Sequence, residues 1–115
     1  MTDDCVFCKI NKGELPAKKV GEGDNFIVIE SIDPVSEGHC LIVSKKHYAN
    51  ALELPSLLGS ELVTLVKGEV LRLKKEGKAD GAKIVQNIGE NVAEIQHFHA
   101  HVIPEKDGVT REKHV

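Results

Sequence analysis

A chain of 115 residues, 41% hydrophobic and 29% charged, has the size and balance of one soluble domain with one core. Its net charge of −3 with histidine neutral leaves no global basic field for nucleic acid. Phe7, Phe26, Tyr48 and Phe98 are too few aromatics for a stacking platform along a single strand.

No apolar run approaches the ~18 residues of a membrane-spanning helix. The acidic start, Met1-Thr2-Asp3-Asp4-Cys5, lacks the apolar segment of a secretory signal. A cytoplasmic location with no membrane partner is therefore expected. In that compartment three cysteines point to metal, thiol chemistry or burial rather than to disulfides.

In chain order, Cys5-Val6-Phe7-Cys8-Lys9-Ile10 reads as a helical turn or tight loop. The next residues, with Gly13 and Pro16, form a connection. Lys18 to Val20 begins a short strand, and Gly21-Glu22-Gly23-Asp24-Asn25 is a turn cluster. Phe26-Ile27-Val28-Ile29 is short, apolar and β-branched, which predicts a buried strand. A turn-rich loop through Pro34 and Gly38 leads to a second apolar strand, His39-Cys40-Leu41-Ile42-Val43.

From about Pro55 to Glu76 the period changes. Leu58, Leu62, Leu65, Val66 and Leu73 recur at three and four residues, which predicts an amphipathic helix. Ser56 is its expected N-cap, and Gly77 its C-terminal stop. Ala82 to Gln86 is the next strand, Asn87 to Ile95 a polar loop. The charged tail, residues 105–115, is expected to be mobile. Strands, one long helix and strands again predict an α+β fold. The expected architecture is a single domain over residues 1–115. It has a mainly antiparallel sheet of about five strands, one long helix and a short N-terminal helix.

The most unusual stretch is Gln96-His97-Phe98-His99-Ala100-His101-Val102-Ile103-Pro104. Strict alternation of histidine with apolar residues predicts a half-buried strand with the imidazoles on one face. At about 3.3 Å rise per residue, neighbouring imidazoles start roughly 6.6 Å apart. His39 and His47 bracket a second strand; if the two strands are neighbours, His39 faces the row. Such a cluster suits metal ligation or nucleophilic and acid–base catalysis. Cys5-x-x-Cys8 taken alone is a zinc half-site, a redox pair or two buried thiols.

His97-Phe98-His99-Ala100-His101-Val102-Ile103 resembles the His-φ-His-φ-His-φ-φ motif (φ apolar) of the histidine triad, or HIT, family of nucleotide hydrolases and transferases. The similarity runs over roughly residues 5 to 105. It includes Phe7-Cys8-Lys9-Ile10, Glu37-Gly38-His39-Cys40-Leu41-Ile42-Val43, Lys45-Lys46-His47 and Gln86-Asn87-Ile88-Gly89, all in the family's order. The pattern is closest to the nucleoside phosphoramidase-like branch. The resemblance implies that His99 attacks the α-phosphorus of a nucleotide, giving a nucleotidyl-histidine intermediate that water cleaves. His101 would contact the phosphate and assist the leaving group. His39 would be a further imidazole against the phosphate and His97 the remaining member of the catalytic set. Asn87 and the backbone at Gly89 would hold phosphoryl oxygens. Val6, Phe7, Ile10, Ile29 and Ile32 match an apolar purine slot, with Ser31 where an acidic ribose ligand is usual.

In zinc-bearing relatives a Cys-x-x-Cys pair is completed by two histidines, here His47 and His97. That implies a structural Cys5, Cys8, His47, His97 zinc site, and no metal requirement for catalysis. The expected substrate is a purine nucleoside phosphoramidate or dinucleoside polyphosphate. Two alternatives are a nucleotide-binding module with little turnover and a metal-dependent hydrolase using the histidine row as ligands. A homodimer is expected by resemblance. Three further features, besides Ser31, depart from the family pattern. The loop before His97 is one residue short, with Val92-Ala93-Glu94 where a Gly-Gln pair is common. Gln96 stands in place of an aromatic. The chain has no tryptophan-bearing tail.

Overall fold

The computed structural model describes residues 4–106. The elements in chain order are α1 (Val6–Asn11), β1 (Lys19–Glu22), β2 (Phe26–Glu30), β3 (Cys40–Ser44), α2 (Gly59–Lys75), β4 (Gly81–Val85) and β5 (His99–Glu105). All strand pairs are antiparallel, in the order β1-β2-β3-β5-β4. No helix of the described residues is long and apolar enough to cross a membrane.

The last strand is thus inserted inside the sheet, between β3 and β4. An interior strand is buried on both faces, and β5 is built for that. Phe98, Ala100 and Val102 join Phe26, Val28, Cys40 and Ile42 in a core beneath α2, with Leu73 reaching down from the helix. The opposite face carries Ile27, Ile29, Leu41 and Val43, covered by Phe7 of α1. His101 pairs with Leu41 and His99 with Val43 across β3. The expected alternation is therefore observed: imidazoles toward α1, apolar groups toward α2.

Pro104 within an interior strand needs explanation, since proline cannot donate to a ladder. Pairing of β5 with β3 ends at Val102↔Cys40, whereas pairing with β4 continues through Ala82↔Pro104 to Gly81↔Glu105. At Pro104 the strand has only one neighbouring strand, so no ladder donor is lost on the other side. The Pro104 carbonyl there accepts from the Ser36 hydroxyl at 2.6 Å.

The long helix begins later than expected and differently. Ser56–Leu58 forms a 3₁₀ turn, and α2 follows from Gly59 without a side-chain cap. Ser56 is not the N-cap; the continuous 3₁₀ turn satisfies the entry instead. Gly77 behaves as expected, with φ +76 just past the helix end and its N–H on the Lys74 carbonyl at 3.1 Å. Residue 105 of the expected tail belongs to β5. The expected mobility of the rest falls mainly on residues 107–115, outside the described residues.

Candidate active site

The site lies on the α1 face of the sheet, around a cavity of about 540 Å³, within the usual range for small-molecule sites. His39, His99, His101 and Asn87 supply polar lining. Val6, Phe7, Ile10 and Ile29 supply apolar lining, and Ser31 and Ile32 also line the cavity. Ile32 is fully exposed, and Ser31 Oγ already accepts from the Asp33 amide at 3.2 Å. Gly89 does not line the cavity. Its carbonyl accepts from Gln96 Nε2 at 3.0 Å and from the Val92 and Ala93 amides at 3.2 and 3.0 Å, which makes it a loop anchor.

Gly38 fixes where His39 enters. Its φ is +92, and a Cβ there would lie 2.7 Å from Leu73 Cδ2. Only glycine fits both the conformation and the approach to the core. His39 is consequently buried beside β5.

Hydrogen bonds assign the tautomers. The Val35 amide can only donate, and it lies 3.0 Å from His39 Nδ1. His39 Nδ1 is therefore an acceptor, and neutral His39 carries its proton on Nε2. That nitrogen is 3.0 Å from His101 Nδ1, so His101 Nδ1 accepts and His101 Nε2 carries the proton. His99 is set the opposite way. Its Nδ1 lies 2.7 Å from the His97 carbonyl oxygen, which can only accept. His99 Nδ1 thus donates, leaving Nε2 with a free lone pair. One imidazole keeps a free lone pair and its neighbour an N–H donor, with ring centroids 5.1 Å apart.

Electrostatics keep the row neutral. Burial lowers the pKa of His99, with the His97 carbonyl and Glu94 acting against it. Burial also pulls His101 down to about 4, aided by the like charges of His99 and His39. The unfolded chain takes up a proton on His101 near pH 6.5 and the native state does not until about pH 4. Stability supplied by this group is unchanged above pH 6.5 and falls as pH drops from 6.5 toward 4. Denaturant unfolding of wild type and His101→Asn across pH 4–7 is expected to show a shallower acid limb in the variant. Parallel limbs would remove His101 as the cause.

His97 points elsewhere. Its Nε2 donates to the Ser44 carbonyl at 2.8 Å, which leaves Nδ1 as a lone pair. That nitrogen lies 3.2 Å from Cys5 Sγ, 3.5 Å from Cys8 Sγ and 3.1 Å from His47 Nδ1. Cys8 Sγ is 3.2 Å from His47 Nδ1. The four donor atoms lie within 4.8 Å of one another. A tetrahedral centre with zinc's bond lengths spaces such donors about 3.3–3.8 Å apart. The set has the chemistry and nearly the spacing of a metal site. Burial, then Cys5, push the Cys8 thiol up to about 11, so a metal must displace a proton on binding.

Several contributors are not among the site residues named from the sequence, although the family resemblance runs through most of them. Leu15, Pro16, Ala17, Leu41 and Ile95 complete the cavity wall. Gln86 Nε2 donates to the His99 carbonyl at 2.8 Å, and its Oε1 accepts from the Ala51 amide at 2.9 Å. Glu94 lines the cavity, although alternation from the histidine strand assigns it to the other face. Alternation stops applying because residues 86–98 are a loop and β5 begins only at His99.

The site is thus a small antiparallel sheet that presents one lone-pair imidazole and one imidazole donor to a largely apolar cleft. This chain belongs to the HIT domain family, whose model matches residues 12–108. It is 43% identical over 108 residues to an HIT-like protein of Methanocaldococcus jannaschii, covering 90% of this chain and 81% of the relative. It is 35% identical over 111 residues to adenosine 5'-monophosphoramidase HNT1 of Candida albicans, covering 92% and 73%. A zinc-bound histidine triad family protein from Mycobacterium smegmatis superposes with a TM-score of 0.86 at 28% identity, covering 98% of this chain and 85% of that one.

Proposed function

We propose that the protein is a nucleotide hydrolase acting at the α-phosphate of a purine nucleoside phosphoramidate or dinucleoside polyphosphate, through a nucleotidyl-histidine intermediate. The observation that carries this reading is the 2.7 Å bond from His99 Nδ1 to the His97 carbonyl. It holds the free lone pair of a neutral, buried imidazole on Nε2, where a covalent catalyst needs it. The phosphoramidase named among the relatives supports the same class.

His99 Nε2 attacks phosphorus and the bond to the leaving group breaks, its electron pair staying with the leaving atom. A proton enters with the leaving group, and His101, which carries its proton on Nε2, is positioned to pass it. Water then adds to phosphorus, the P–N bond to His99 breaks, and the water's proton returns to the relay. Asn87 and the His39–His101 pair offer donors to the phosphoryl oxygens as charge develops there. The purine would lie against Phe7, Ile10 and Ile29.

We also propose that the Cys5, Cys8, His47, His97 cluster binds zinc. When bound, the metal supplies a structural cross-link between α1 and the sheet. Catalysis is assigned to His99 and His101, which are not part of that donor set.

The covalent reading predicts stereochemistry. Two in-line displacements give net retention at phosphorus; direct attack by water gives inversion. Hydrolysis of an α-phosphorothioate substrate of one configuration in ¹⁸O-labelled water is expected to give retention. Inversion would remove the nucleotidyl-histidine step, and no hydrolysis of any adenosine phosphoramidate or diadenosine polyphosphate would remove the hydrolase reading.

A further inference from the structure

We infer that Glu94 is a specificity residue for the leaving group, and that it selects substrates whose leaving group is cationic over those whose leaving group is anionic. This rests on the hydrolase reading above and adds to it the charge of the group expelled.

The charged residues lining the cavity are Glu30, Asp33 and Glu94; among the described residues no lysine or arginine lines it. That is an unusual balance for a site that takes an anion. One α-phosphate can be met by neutral donors, and His101 and Asn87 are such donors. A second or third phosphate, or a sulfate, brings further negative charge that no cation in the cavity compensates. Glu30 is partly neutralised at the rim by Lys18, whose Nζ is 3.5 Å from its carboxylate. Among the described residues no ion pair holds Glu94.

Position separates Glu94 from the other two carboxylates. Glu30 is the last residue of β2, and Asp33 lies in the loop that follows it. Glu94 is on the loop that leads into β5, and its charge acts on His99. With the purine placed against Phe7, Ile10 and Ile29 and phosphorus at His99, the leaving group occupies the remainder of the cavity, whose lining includes Glu94. The loop is fixed rather than loose. Gln96 Nε2 bridges the Gly89 and Ala93 carbonyls at 3.0 Å each, and Ala93 is buried. Glu94, which follows Ala93, is therefore held at the cavity wall and is exposed to solvent.

In the step this residue would bias, the P–N bond breaks and its electron pair stays on the amine nitrogen. The amine takes one proton, and water returns one when it cleaves the intermediate. An amine whose tail carries an ammonium group is attracted by Glu94 throughout. A carboxylate or phosphate tail is repelled by it, with no nearby cation to offset the repulsion.

Adenosine 5'-phosphoramidates of ethylenediamine, propylamine and β-alanine test this, because the tails are similar in length and differ in charge. For wild type, kcat/KM is expected to be about tenfold or more higher for the ammonium tail than for the carboxylate tail, a surface-screened charge effect. Glu94→Gln is expected to bring that ratio within about threefold, and Glu94→Lys to reverse it. The ratio within one variant cancels any general loss of activity. Dissociation constants for the same three compounds on His99→Ala protein give a second ratio that needs no turnover. If neither ratio moves on Glu94→Gln, Glu94 does not select. If the binding ratio moves but wild type hydrolyses none of the compounds, the hydrolase reading fails while the charge selection stands.

Discussion

Replacing His99 by alanine is expected to lower kcat for a nucleoside phosphoramidate by about four orders of magnitude or more, the scale seen when a covalent nucleophile is removed. The expectation follows from how completely the fold commits this ring. Its Nδ1 is spent on the His97 carbonyl, its backbone carbonyl is gripped by Gln86, and its face lies 4.9 Å from the Phe7 ring by centroids. No other imidazole of the row can take its place. His101 Nδ1 is occupied by His39, and His97 is turned into the cysteine cluster. Binding need not fall in parallel, since the proposed purine contacts lie on α1 and β2. A nucleoside monophosphate is therefore expected to bind His99→Ala within a few-fold of wild type, as read by calorimetry, while turnover vanishes. His99→Gln, which keeps more of the side-chain volume, guards against a packing artefact. Retained turnover in a folded His99→Ala protein would move the nucleophile elsewhere and overturn the mechanism.

Period-two alternation made His99 and His101 legible, because a strand buried on both faces enforces parity. That His97 turns away from His99 and His101 toward Cys5 and Cys8 was legible only through resemblance. What divides the row physically is the end of the strand: His97 lies before β5 and is freed to turn its Nδ1 to Cys5 and Cys8. The position of β5 inside the sheet was not legible. Nothing local in its sequence distinguishes a strand added at the edge from one inserted between β3 and β4, since sheet order is set by long-range pairing. Glu94, Gln86 and Gln96 were marked by the family pattern or by departure from it, but their contacts were not legible for a related reason. Loop side chains obey no periodicity, and their partners are up to 35 residues distant, as in Gln86 with Ala51. Ser56 failed as a cap because a 3₁₀ turn took over the job that a cap performs.

The second large effect is expected from Cys8→Ser, or from stripping metal with a strong chelator: a fall in melting temperature of about 15 °C or more, corresponding to about 4 kcal/mol for a tightly held ion. Helix α1 has only six residues, too short to be stable alone. It is held by burial of Phe7 and Cys8, by Cys5 capping its first turn through the Cys8 amide at 3.4 Å, and by the four-donor cluster. The loss would spread to the substrate cavity, because Val6, Phe7 and Ile10 form one wall of it. It would also reach His99, because His97 offers its ring to the cluster and its carbonyl to His99. Metal removal is therefore expected to weaken nucleotide binding as well as stability, whereas a change confined to the cavity, such as Ile29→Ala, weakens binding without changing metal content. The measurements are zinc stoichiometry by elemental mass spectrometry, melting temperature with and without chelator, and nucleotide affinity of each form. Protein purified without metal that melts at the same temperature after zinc is added would show that the two thiols and two imidazoles serve only as packing.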